Sequence, residues 1–295
     1  MSQVGVAVRL LVQAVFFLVA TPLQLIAMRC SRRLAGWIPV LFHRLFLRMF
    51  GLRIDVRGHL AQGAPVLILA NHASWLDISV LGSLAPLSFV AKSEVAGWPV
   101  ISWFAKLQRT VFIDRARRTH TSAVNEAVGR RLAQGDVMVL FPEGTSSDGN
   151  RVLPFRASLV GAARMALADR SLGRILLQPL AISYTRRHGL PLTRRDRPHV
   201  AWYGDMDLAP HLAGFLRGGP FDARVTFGDP IPFDAATDRK QATALAEAAV
   251  RRAHRQAAGI RSQPAAEPVG LDDRASDASQ RRRARFSILS GGQSA

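Results

Sequence analysis

The chain is poor in cysteine, lysine, tyrosine and acidic residues. Cys30 is the only cysteine among 295 residues, which excludes an intrachain disulfide and any zinc site built from several thiolates. Lys92, Lys106 and Lys240 are the only lysines among 39 basic residues, and 21 acidic residues leave a formal charge of +18. Arginine therefore carries the excess, which implies an anionic partner: nucleic acid, an anionic lipid surface or a phosphate-bearing ligand. The aromatic residues are not interleaved with the basic runs as base-stacking platforms require, so no nucleic acid partner is expected. A basic surface-binding protein without catalysis remains the rival class.

What is present begins with apolar length. Residues 10–28 are nineteen positions without a charge, enough to cross a bilayer, although Gln13, Pro22 and Gln24 interrupt them. Arg29, Arg32 and Arg33 follow, and a basic flank favours the cytoplasmic side, here the cytoplasmic face of the inner membrane. Residues 37–50 are apolar but contain His43, Arg44 and Arg48. That stretch is too short and too charged to span, and reads as an interfacial amphipathic helix with its basic residues toward headgroups. Residues 1–52 are thus expected to anchor the chain to membrane containing anionic lipid. Residues 53–258 form the main domain, and residues 259–295 are a basic tail of the composition that stays disordered. The run RRRAR at 281–285 is either a lipid contact or a solvated charge run.

From Arg53 onward, short apolar runs alternate with helical spacing, the pattern of an α/β fold with a mixed, largely parallel sheet flanked by helices. Strands are expected at 66–70, 87–91, 110–113, 137–141, 175–183, 199–203 and 223–227. Val124, Ala127, Val128 and Leu132 recur at helical spacing, as do Leu159, Ala162, Ala163 and Ala166, and later Leu245, Ala246, Ala249 and Ala253. Pro179 within the apolar run 175–183 predicts an edge position or a bulge. That run is either an acyl-contacting wall or plain core.

Four stretches carry chemistry. In ILANHASWLDISVLG a strand ends at Ala70 and leads to Asn71, His72 and Asp77, and strand ends of α/β sheets are where ligand sites gather. Four residues separate His72 from Asp77. In a turn entering a helix, that spacing returns the carboxylate to the imidazole and fixes its tautomer, leaving the other ring nitrogen to take a proton. The pair is a serine-hydrolase triad without its serine, so the attacking hydroxyl would come from the substrate. A simple turn hydrogen bond is the competing explanation. In LFPEGTSSDGNRVLPF, Glu143 could accept from a polyol, and Gly144 allows close backbone approach for oxyanion-binding amides. An ordinary strand-to-helix turn explains it equally. QRTVFIDRARR places Asp114 and Arg115 at a strand end, where a guanidinium suits phosphate or carboxylate, or makes a surface ion pair. The fourth stretch is Leu176 to Ile182, around Pro179.

Taken together and in order, these stretches resemble the glycerolipid acyltransferase family that includes the 1-acylglycerol-3-phosphate acyltransferases. Asn71-His72 with Asp77 matches the first block of the family, Phe112-Ile113-Asp114-Arg115 the second, Phe141-Pro142-Glu143-Gly144-Thr145 the third, and Gln178-Pro179-Leu180-Ala181-Ile182 resembles the fourth. The resemblance covers about residues 53–233. It implies His72 as general base oriented by Asp77, Arg115 on the anionic head of a lysolipid acceptor, and Glu143 and Gly144 positioning that acceptor. It implies an acyl carrier protein or coenzyme A thioester as donor substrate, with no cofactor, no metal and no acyl-enzyme. Lys92 and Arg156 are weaker candidates for an anionic group. Two departures bear on the acceptor. Ser146 and Ser147 follow Thr145 where the family usually has an Arg, and Arg109 stands where it usually has a Gly. The segment from Thr145 to Phe155 is similar to the branch that acylates lyso-ornithine lipid, whose head is an amino acid. That acceptor is favoured slightly over lysophosphatidic acid, with Arg109 as a possible relocated anion contact.

Overall fold

The structure, a computed structural model, describes residues 3–113, 120–167 and 173–259. The described elements run in order as α1 (Gln3–Cys30), α2 (Arg32–Met49), β1 (Arg53–Arg57), β2 (Val66–Ala70), α3 (Leu76–Gly82), β3 (Ser88–Lys92), α4 (Pro99–Leu107), β4 (Val111–Ile113) and α5 (His120–Ala133). They continue with β5 (Met138–Leu140), α6 (Gly161–Ala166), β6 (Ile175–Arg187), β7 (Leu190–Pro191), α7 (Leu208–Gly218), β8 (Phe221–Phe227), β9 (Ile231–Phe233) and α8 (Arg239–Ala257). One sheet has the order β1-β8-β6-β2-β5-β3-β4, with β7 and β9 also paired to β6. Strands β2 to β6 are mutually parallel, whereas β7, β8 and β9 run antiparallel to β6.

Strand β2 shows why the sheet is covered on both faces. All five of its residues are buried, and their side chains alternate with period two. Val66, Ile68 and Ala70 join a core containing Leu47 and Phe50 beside α2 and Leu76, Val80 and Leu81 from α3. Leu67 and Leu69 join the opposite core, with Val128 and Leu132 from α5, Ala162 and Ala163 from α6, and Ala246 and Val250 from α8. A strand buried on both sides reads as a continuous apolar run, as in a sandwiched parallel sheet.

Helix α1 is 28 residues long with a mean hydropathy of 2.1 in its most apolar window, long and apolar enough to cross a membrane. Val4, Leu11, Leu18, Val19, Leu23 and Ile26 are all more than half exposed, an apolar surface that water does not favour. The glutamines that interrupt the run face inward. Gln24 Nε2 donates to Ala35 O at 2.8 Å and to Leu107 O at 2.7 Å, and Gln13 Nε2 donates to Phe42 O at 3.4 Å. Their polar atoms tie α1 to α2 and α4 and leave the outer face apolar.

Three expectations need correction. The basic residues of α2 do not all face outward: His43 is buried against Gln108, and Arg44 Nε donates to Ser83 O at 2.8 Å, while Arg48 is exposed. Residues 199–203 form no strand; a 3₁₀ turn at Arg197–His199 contains Pro198, which has no N–H to give a ladder. Strand β6 is interior, not an edge, and its one register shift against β8 lies between Tyr184 and Arg186, away from Pro179. Pro179 falls where its partner changes from β9, ending at the Leu177–Ile231 pair, to β8, starting at Leu180–Phe227. There Pro179 O accepts from Gly228 N at 2.8 Å, and Gly228 O takes a side-chain donor, Gln178 Nε2, in place of a ladder N–H. Beside it, buried Gln178 accepts from Ala61 N at 2.9 Å and donates to His59 O at 2.9 Å and Gly228 O at 3.2 Å. Gln178→Leu strands these main-chain groups. We expect a loss of about 2–3 kcal/mol, seen as a thermal midpoint lower by about 4–10 °C.

Candidate active site

Parallel pairing creates the site. Strands β2 and β5 are neighbours in register, Leu67 to Met138 and Leu69 to Leu140, so their C-terminal ends open side by side. Asn71-His72 leaves one, and Phe141-Pro142-Glu143-Gly144 leaves the other. The sheet itself thus brings together two motifs that lie 71 residues apart, with His72 N donating to Glu143 Oε1 at 3.0 Å. Strand β4 points to the same edge. Arg115, which follows it, lies outside the described residues, as do Asp114, Arg117 and Arg118.

His72 Nδ1 lies 2.9 Å from Asp77 Oδ2. An ionised carboxylate only accepts, so Nδ1 carries the hydrogen and the neutral ring keeps its lone pair on Nε2. Asp77 is fully buried, and its oxygens are well supplied with donors. Oδ2 also accepts from Ala73 N at 2.8 Å and Ser74 N at 3.0 Å, and Oδ1 accepts from Tyr184 Oη at 2.7 Å. Four donors replace the water that burial removes, which is what keeps a buried carboxylate charged. The phenol of Tyr184 is held well above its ordinary pKa by burial and by the Asp77 charge, so it remains a donor.

The loop bearing His72 is clamped on several sides. Its ring stacks on Phe141, with centroids 4.1 Å apart and planes at 18°. His72 O accepts from Ser147 N at 2.8 Å and Ser147 Oγ at 3.1 Å. Ala73 O accepts from Trp202 N at 2.8 Å, so the segment expected as a strand instead buttresses the His72 loop. Trp75 Nε1 donates to His211 Nδ1 at 3.0 Å, and Trp75 packs edge-on against Phe46 of α2. The imidazole side chain remains 19% exposed, which leaves it reachable.

The other expected residues divide. Asn71 is a clamp: Nδ2 donates to Ile182 O at 2.9 Å and Oδ1 accepts from Ile182 N at 2.8 Å, fastening β2 to β6. Glu143 is buried; its Oε1 takes the His72 amide, while Oε2 has no partner among the described residues. Burial pushes its carboxyl up to about 8, against a smaller lowering from the His72 and Leu153 amides. Gly144 has φ +79° and its N–H donates to Phe141 O at 3.1 Å, closing the turn and leaving that amide committed. Thr145 is exposed beyond it. Arg156 is exposed, with its main-chain N donating to Pro142 O at 2.8 Å. Lys92 ends β3, its side chain lying outside the described set. Arg109 is the clear correction. It precedes β4 and pairs with Asp136, which precedes β5, at 3.0 Å, so it sits at the opposite end of the parallel strands from His72.

Sequence reasoning missed Tyr184, Ser147 and Trp202. Tyr184 left one usable signal, a phenol inside an apolar strand that needs a partner when buried. Ser147 and Trp202 act through main-chain groups and left none.

A family model described as Acyltransferase matches residues 53–183. The chain is 50% identical over 219 residues to a lyso-ornithine lipid O-acyltransferase of Brucella abortus strain 2308, covering 73% of this chain and 82% of that protein. It is 43% identical over 235 residues to a lyso-ornithine lipid O-acyltransferase of Rhizobium meliloti strain 1021, covering 80% of each. A 1-acyl-sn-glycerol-3-phosphate acyltransferase of Neisseria gonorrhoeae is 42% identical over 115 residues, 37% of this chain and 45% of that protein. The fold matches the crystal structure of the 1-acyl-sn-glycerophosphate acyltransferase PlsC from Thermotoga maritima, with a TM-score of 0.58 at 19% identity over 86% of this chain and 98% of that one.

The raised Glu143 carboxyl has a consequence for stability. Between the unfolded value of 4.5 and the folded value of about 8, the folded chain holds a proton that the unfolded chain releases. Stability from this group therefore falls as pH rises through that window. Glu143→Gln keeps an acceptor for the His72 amide and removes the titration. Thermal midpoints of the variant and the wild type should diverge in the variant's favour as pH rises toward 8, then run parallel.

Proposed function

The chain belongs to the acyltransferase family, and on that premise we propose that it acylates the free hydroxyl of lyso-ornithine lipid, with His72 as general base. The observation that carries the chemistry is the Nδ1 bond to Asp77, 2.9 Å long, which leaves Nε2 of a neutral ring as the proton acceptor. No side-chain nucleophile is needed, because the acceptor lipid supplies its own hydroxyl. That oxygen attacks the carbonyl carbon of an acyl thioester as His72 removes its proton. The tetrahedral intermediate expels the thiolate, the carbon–sulfur bond breaks, and the imidazolium returns the proton to sulfur. The donor is an acyl carrier protein or coenzyme A thioester, and no cofactor takes part. Thr145 and Ser146 supply the next main-chain amides after Gly144, the donors suited to the oxyanion.

Two observations support the acceptor. The relatives with that named activity align over 73% and 80% of the chain, whereas the gonococcal 1-acyl-sn-glycerol-3-phosphate acyltransferase aligns over 37%. Ser146 and Ser147 also occupy the place of the usual family arginine, and Ser147 holds the main chain of His72. Arg115 is the cation we assign to the carboxylate of the head. Lysophosphatidic acid is the second reading, favoured by that same shorter alignment. The exposed apolar face of α1 and the Arg29, Arg32 and Arg33 flank support attachment at the cytoplasmic face of the membrane.

A positioned base contributes about 10²–10⁴-fold, so His72→Ala should lose activity by that factor while the chain still folds, its thermal midpoint lowered by the loss of one donor to buried Asp77. Purified chain given an acyl thioester and either lyso-ornithine lipid or lysophosphatidic acid, with products read by mass spectrometry, decides the acceptor. Ornithine lipid as the main product is expected; phosphatidic acid alone overturns the assignment, and undiminished turnover by His72→Ala overturns the base.

A further inference from the structure

A second concave site lies at the other end of the strands. It is a cavity of about 360 Å³ whose wall includes Arg32, Arg33, Ser88, Arg109, Gln134 and Asp136. Ser88 opens β3, Arg109 comes just before β4 and Asp136 just before β5, so the cavity faces away from His72, which follows the C-terminal end of β2. Gly36 of α2 makes its wall possible, since a Cβ there would lie 2.8 Å from Pro86 Cβ.

The charges around this cavity do not balance. Asp136 is the one carboxylate in its wall, and both of its oxygens are engaged. Oδ1 and Oδ2 accept from Arg109 at 3.3 and 3.0 Å, and Oδ2 also accepts from Arg131 Nε. Arg131 further donates to Arg109 O at 2.9 Å and Ser88 Oγ at 2.8 Å. Among the described residues Arg32 has only a neutral partner, Gln134, through its main-chain O at 3.1 Å and its side-chain Oε1. Arg33 meets no carboxylate among the described residues. Among the described residues, one carboxylate thus stands against four guanidinium groups, and it contacts only Arg109 and Arg131.

Two further features run against local preference. Arg32 and Arg33 occupy the first turn of α2, with no acidic residue there, although the positive end of a helix dipole favours anions. Arg109 has φ +59°, a left-handed conformation that glycine adopts without the steric cost an arginine bears. Burial first, then the charges of Arg131 and Arg32, lower the pKa of Arg109 despite Asp136. An anion in this cavity would offset the charge crowding on Arg109 and the cationic first turn of α2.

The place of the cavity selects the anion. Cys30 ends α1 two residues before Arg32, and Leu23 and Ile26 on the same half of α1 are 55% and 60% exposed. The apolar helix thus ends two residues along the chain from the first arginine of the cavity wall, the order that a lipid with its chains on α1 and its phosphate at the arginines requires. We propose that the cavity binds the phosphate of an anionic membrane phospholipid, at a site separate from His72 and independent of the identity of the acceptor.

The test uses the full chain in zwitterionic detergent, titrated with dihexanoyl phosphatidylglycerol and, in parallel, with inorganic phosphate, reading the thermal midpoint. A ligand that binds the folded state raises that midpoint with concentration. Arg109→Gly removes the guanidinium while suiting the backbone, so folding is retained. Arg109→Gly and the double variant R32Q/R33Q should each weaken the lipid response at least about tenfold, one charge-assisted contact or more. Arg252→Gln, exposed on α8 and outside the cavity wall, should leave it unchanged. The proposal is overturned if the lipid gives no shift, if Arg109→Gly and R32Q/R33Q respond like wild type, if Arg252→Gln loses as much, or if inorganic phosphate reproduces the whole lipid shift.

Discussion

The bond between His72 and Asp77 organises this molecule. A buried carboxylate is costly unless its oxygens are satisfied, and Asp77 obtains donors from the imidazole, from two amides of its own turn and from Tyr184 on β6. Those contacts require the turn after β2, the start of α3 and the far half of β6 to stay in fixed relation. Asn71 contributes to the same end by locking β2 to β6 through both main-chain groups of Ile182. The interior position of β6 is therefore tied to the chemistry.

Division of the sheet into two ends gives the protein two kinds of surface. At the C-terminal ends, His72 and Glu143 meet beside main-chain groups clamped by Ser147 and Trp202. At the N-terminal ends, arginines collect around Asp136 next to the apolar helix. Some of the arginine excess is thus a local arrangement, with Arg29, Arg32 and Arg33 where α1 gives way to α2. The glutamines of α1 follow the same logic, since they bond inward and leave the outer face apolar.

Much of this was legible in the sequence because it depended on local spacing. Four residues between His72 and Asp77 suffice to return a carboxylate through a turn, and apolar runs marked six of the strands to within a few residues. Parallel pairing then aligned the first and third motifs, which spacing alone could not place. What stayed hidden were contacts set by tertiary register. Tyr184 reaches Asp77 only because β6 continues past Ala70. Pro179 is tolerated inside the sheet only because two partner strands abut beside it. The segment around Val200 has strand-like composition, yet Pro198 and the demand for a donor at Ala73 O turned it into a buttress. Arg109 looked like an anion contact because it replaces the usual glycine of the second motif, yet it precedes β4 and so lies at the end of the parallel strands opposite His72.

The central claim is that Asp77 fixes His72 as the tautomer with hydrogen on Nδ1 and a lone pair on Nε2. The most direct measurement is the ¹⁵N NMR spectrum of the His72 imidazole in the full chain, at a pH where the ring is neutral. The account predicts a protonated Nδ1 and an unprotonated Nε2, with the preference lost in Asp77→Ala. A ring protonated at Nε2, or one averaging freely between the two tautomers with Asp77 in place, would contradict it.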